Sequence, residues 1–157
     1  MSVTHPALQT TYGSTTTTAR TAPVWRVAAV ATVAAAVATE LVATLARAFD
    51  VSLKAGEMGA KTSERIPIGG FATATLMIGA VGILLAVAFA RWAKRPARTY
   101  NVVTLALTAL SFVPSLGAGH TSVSTKVTLC IGHIVAAAII IPVVSARLSK
   151  VERPSAN

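Results

Sequence analysis

The sequence predicts an all-α membrane protein, a four-helix transmembrane bundle with both termini cytoplasmic. Three observations carry this reading. The 157 residues are 54% hydrophobic and 12% charged, with a mean hydropathy of +0.67, whereas soluble domains are about a quarter charged. Four apolar segments, 27–46, 68–90, 102–116 and 127–146, are of the order of the roughly 20 residues a helix needs to cross a bilayer. The net charge of +9 gathers at the ends of those segments and not along one soluble face. It therefore reads as membrane topology and excludes a nucleic-acid footprint.

Residues 1–22 form a threonine-rich stretch with little apolar surface to bury, expected to be a disordered cytoplasmic tail. The four-span domain follows at 23–148, and 149–157 is a second cytoplasmic tail. Ala36 to Ala38 resemble a signal-peptide cleavage pattern, but the apolar helical pattern runs on through Glu40 to Ala46, so the segment is read as an uncleaved first span. In the first loop VSLKA and SERIPI partly alternate around a turn-like GEMG. Two readings stand there, a short β-hairpin and an irregular solvated loop.

Span two carries Gly70, Gly79 and Gly82, which let a neighbouring backbone approach closely. Trp25 with Arg26 and Trp92 sit where interfacial aromatics and basic residues anchor helices. Span three places Thr104, Thr108 and Ser111 on one helical face. Pro114 and Pro142 each remove one backbone bond, from the carbonyls of Leu110 and Ala138. Antiparallel spans put Arg20, Arg26, Arg91, Lys94, Arg95, Arg98, Arg147, Lys150 and Arg153 on one side. Arg47, Lys54, Lys61, Arg65 and Lys126 lie on the other, with Asp50, Glu57 and Glu64. The positive-inside rule assigns the first side to the cytoplasm. The basic loop of Arg91, Lys94, Arg95 and Arg98 faces anionic lipid headgroups or a partner protein.

Two ionisable residues interrupt the apolar spans. Glu40 lies seven residues before Arg47 and His133 seven after Lys126, which places both about 10 Å below the outer surface at the helical rise. A lone carboxylate in hydrocarbon costs several kcal/mol, so it must be neutralised, paired or wet. The expectation is a polar layer in which Glu40 pairs with His133 and Thr44, Thr73, Thr75 and Ser111 complete the network. It functions as a proton- or ligand-binding site, or it fixes helix register as a buried polar contact. His120 reads as an exposed loop histidine or as a guard of the same entrance. No catalytic motif is present, no metal site is supported by spacing, and no cofactor is implied. The single Cys130 forms no internal disulfide and reads as a small buried residue.

The loop RWAKRPAR, the stretch LTALSFVPSL and the closing TKVTLCIGHIVAAAIIIPVVSARL resemble an uncharacterised family, a domain of unknown function, of small four-helix membrane proteins from high-GC Gram-positive bacteria. The resemblance spans about residues 24–148, and its most specific element is the last span with His133, Ala136 to Ala138, Pro142 and Arg147. That family often has a proline where Ser115 stands. The resemblance implies four spans in a bacterial plasma (inner) membrane and no reaction. The functional expectation is a non-enzymatic small-ligand or proton-linked transport or sensing module using the Glu40 and His133 pair. The alternative is an accessory or structural subunit that binds a membrane-protein partner, itself or anionic lipid. Glu40 in the first span also resembles the glutamate of small multidrug-resistance transporters, which implies a cation/proton antiporter, although the aromatic residues of such a drug site are scarce here.

Overall fold

Four long helices carry the chain back and forth: α1 (Val24–Ala48), α2 (Gly70–Trp92), α3 (Pro96–Gly117) and α4 (Val123–Ser149). They are seen in a computed structural model that describes residues 22–151. All four are long and apolar enough to cross a membrane, and the chain is a multi-pass membrane protein. The disordered tail expected at 1–22 falls, apart from residue 22, outside the described residues, as does most of the tail at 149–157.

α1, α3 and α4 outrun their expected spans, because hydropathy finds the apolar centre and misses the polar end turns, while α2 is shifted two residues along the chain from 68–90. The largest shift at one end is in α3, which starts at Pro96 and not at residue 102. Proline suits the first helical position, where its missing N–H is not needed, and the polar turn Ala97-Arg98-Thr99 follows it. At the start of α4 the Ser122 hydroxyl accepts from the Thr125 N–H at 3.2 Å, the cap that exposed first-turn donors require. Both α3 and α4 continue through their prolines, for three and seven residues.

Side-chain size sorts the faces of α1. Ala28, Ala31, Thr32, Ala35, Ala36, Thr39 and Ala43 are buried, at spacings of one, three and four. Val30, Val33, Val37, Leu41 and Leu45 are exposed. In hydrocarbon nothing drives large apolar residues inward, so small residues take the interface and large ones meet lipid. Along its small face α1 contacts both α2 and α4, and α3 leans on α4, while α2 and α3 share only a thin seam. The contact with α2 is closest at Gly79, where a Cβ would collide with the Thr32 side chain. One apolar cluster at the basic end joins Ala28, Ala86, Tyr100, Val144 and Leu148. Another at the loop end joins Ala43, Leu53 and Phe71.

The first loop folds as the hairpin reading expects, though it is minimal. Strands β1 (Lys54–Ala55) and β2 (Glu64–Arg65) pair antiparallel, Lys54 opposite Arg65 and Ala55 opposite Glu64. The hairpin docks on the α3–α4 turn: the Gly119 N–H donates to the Glu57 carbonyl at 3.1 Å, and the Gly56 N–H to the Thr121 hydroxyl at 3.1 Å. Side chains at Gly56 or Gly119 would strike backbone, which is why both positions are glycine. Leu53, 1% exposed, plugs this cap into the bundle at the cost of a left-handed φ of 41°.

Adding one methyl at Gly79 tests the α1–α2 contact. Gly79→Ala should lower stability by about 1–3 kcal/mol through overpacking. Gly82→Ala, where no atom lies within 4 Å, should be neutral or gain up to about 1 kcal/mol of helix propensity. Thermal unfolding in detergent distinguishes the two.

Candidate functional site

The two ionisable residues of the spans are satisfied separately. α2 is preceded at its cap position by Gly69, which takes a φ of 84° and offers no side chain to cap the helix. Two backbone donors at this helix start are instead met from α1. One Glu40 carboxylate oxygen accepts from the Gly69 N–H at 2.8 Å, and the other from the Ala72 N–H at 3.2 Å. Arg47, two turns along α1, donates to the first oxygen at 3.2 Å. Its second amino group donates to the Pro67 carbonyl at 3.0 Å. A carboxylate at a helix N-terminus meets both exposed donors and the positive end of the helix dipole. Glu40 and Arg47 thus form a clamp that ties α1 to the start of α2.

This corrects the expected pairing of Glu40 with His133. Rise per residue puts the two at one depth, but depth does not specify direction around the bundle, and the side chains go to different neighbours. The His133 Nδ1 bonds the Leu129 carbonyl at 2.8 Å. Because a carbonyl can only accept, Nδ1 carries the proton, and Nε2 of the neutral ring is left as an acceptor. The ring stands edge-on to Phe112, with centroids 6.2 Å apart and planes at 69°.

His133 lines a half-open cavity of about 340 Å³ between α2, α3 and α4, with Thr39 contributed by α1. The cavity follows directly from the packing: α1 fills its own side with alanine, while the thin α2–α3 seam leaves space unfilled. Phe71, Ile78, Leu85, Leu107, Ala136 and Ile140 make the wall apolar. The hydroxyl stripe of α3 faces it but spends its protons locally. Thr104 donates to the Tyr100 carbonyl at 2.7 Å, Thr108 to Thr104 at 2.8 Å and Ser111 to Thr108 at 2.6 Å. What the cavity offers a guest is therefore apolar surface and acceptor lone pairs, with the His133 ring part of its lining.

Of the residues expected in one layer, Thr75, Ser111 and His133 do share the cavity. Glu40 is not in its lining. Thr44 bonds the Glu40 backbone carbonyl at 2.9 Å on the exposed side of α1, and Thr73 is exposed on α2. His120 is exposed in the α3–α4 turn with a φ of 44° and does not line the cavity. Arg91, Lys94, Arg95 and Arg98 are all exposed around the α2–α3 turn. Sequence reasoning missed Arg47 as the partner of Glu40, although a spacing of seven puts both on one helical face. It also passed over Thr39, which meets Thr75 across the α1–α2 contact at 2.9 Å.

A family model described as "Family of unknown function (DUF6069)" matches residues 19–150. No curated protein and no solved structure matches the chain.

Removing the clamp should cost more than neutralising it. Glu40→Ala leaves two backbone donors and a guanidinium without their acceptor, an expected loss of about 1–3 kcal/mol. Glu40→Gln keeps one amide oxygen for the Gly69 N–H and should lose less. Equal stability of Glu40→Ala and the parent in thermal unfolding would remove the clamp from the account.

Proposed function

The chain belongs to the family of unknown function DUF6069, and from its geometry we propose that it binds a small, mainly apolar ligand inside the membrane, between α2, α3 and α4. One observation carries the reading: an apolar cavity of about 340 Å³ in which His133 presents an acceptor. A guest with an apolar body and a single hydroxyl or amine donor complements that wall, the usual division of labour in a small-molecule site. Binding of this kind serves a non-enzymatic sensing or transport module. A proton-linked version would use His133, the one titratable imidazole of the lining, and not a Glu40 pair.

The antiporter reading finds less support, since it needs a carboxylate free inside the cavity and Glu40 is held by Arg47 and the start of α2. A second reading, an accessory subunit, has its own observation. Phe49, Met58 and Ile68 are 79%, 61% and 87% exposed around the loop cap, an apolar rim that suits a membrane-protein partner. The distribution of basic residues supports an orientation with both termini cytoplasmic.

Binding can be read with a fluorescent aromatic amine whose emission rises in apolar surroundings. The parent should bind it, His133→Leu should bind about five- to tenfold more weakly for one lost hydrogen bond, and Ala136→Phe should block the site. Glu40→Gln should bind as the parent does. Equal binding by His133→Leu and Ala136→Phe variants that still fold would end the cavity reading.

Orientation is tested in a Cys130→Ser background. A membrane-impermeant maleimide applied to intact cells should label Ser63→Cys in the hairpin loop and spare Lys94→Cys. The reverse pattern would invert the topology.

A further inference from the structure

The end of the bundle opposite the hairpin has a charge pattern that the cavity does not use. From residue 66 to residue 151 the chain contains no acidic residue, while Arg91, Lys94, Arg95 and Arg98 crowd the α2–α3 turn. All four are exposed, and the single ion pair among the described residues is the distant one between Arg47 and Glu40. Lys94, Arg95 and Arg98 rim an open groove of about 790 Å³ between the last turns of α2 and the first turns of α3. Its floor is apolar, built from Ala88, Phe89, Val102 and Val103, and Trp92 stands beside it, 80% exposed.

We infer that this groove is a binding site for an anionic phospholipid, with the phosphate among Lys94, Arg95 and Arg98 and an acyl chain along the apolar floor. Two independent features agree on that occupant. Among the described residues no carboxylate lies at this end of the bundle to neutralise the cations, and juxtamembrane clusters of this kind attract anionic headgroups. The groove beneath them lies on the face that the chain presents to hydrocarbon, where an acyl chain and not water is the available filler. Trp92 is placed as interfacial aromatics are, at headgroup level. The seam also leads inward: Leu85 lines the cavity and Ala88, Phe89 and Trp92 the groove on successive turns of the same α2 face. The site does not depend on the cavity having a ligand of its own.

Native mass spectrometry of the purified protein, with phosphatidylglycerol or phosphatidylcholine supplied in detergent micelles, tests this. The parent should retain phosphatidylglycerol in preference to phosphatidylcholine. Arg95→Gln with Arg98→Gln should retain it about tenfold less, whereas Arg26→Gln with Lys150→Gln, at the same end of the bundle, should leave retention unchanged. Lys94→Gln alone gives a milder arm should the first double variant fail to fold. Equal loss in both double variants would reduce the site to diffuse surface charge and overturn the proposal. Equal retention of the two lipids, or displacement of phosphatidylglycerol by inorganic phosphate alone, would overturn it as well.

Discussion

The Glu40 carboxylate, set in α1 and bonded to the first-turn N–H groups of α2, is the contact from which the rest of the arrangement follows. Helix starts expose backbone donors that hydrocarbon cannot satisfy. α2 has no capping side chain of its own, because Gly69 occupies a left-handed conformation that glycine adopts without strain. Borrowing a carboxylate from α1 solves both problems, and Arg47 balances the charge while holding the Pro67 carbonyl. A polar residue that looked costly in the span is thus a fastening between two helices.

Once α1 and α2 are fixed in register, close packing follows on that side and looseness on the other. The alanine face of α1 brings the backbones of α2 and α4 near, with Gly79 against Thr32 as the tightest point. α3 makes its main contact with α4 and only a thin one with α2. Space therefore remains where α2, α3 and α4 meet. The cavity is a consequence of which helix carries the small residues.

The two ends of the bundle differ in the same physical terms. At the loop end the hairpin and the α3–α4 turn satisfy each other through backbone bonds, Leu53 seals the junction, and Asp50, Glu57 and Glu64 offset the basic residues. At the other end the connection between α2 and α3 is three residues long and wholly basic in its charge. One end is a folded cap, the other a charged rim open to the lipid surface.

Much of the architecture was legible in the sequence. Composition and run length determine four spans, since both depend on local properties of the chain, and the partial alternation around GEMG admits the hairpin beside an irregular loop. Rise per residue converts position into height along the bundle, and Thr75, Ser111 and His133 do line one cavity. The tertiary structure alone decided which way each side chain turns. Helix order and rotation separate Glu40 from His133, deliver Glu40 to the backbone of α2, and place His133 in the cavity. Those choices depend on contacts between segments far apart in the chain, and in hydrocarbon such contacts are selected by side-chain size and hydrogen-bond satisfaction across helices, which no single span encodes.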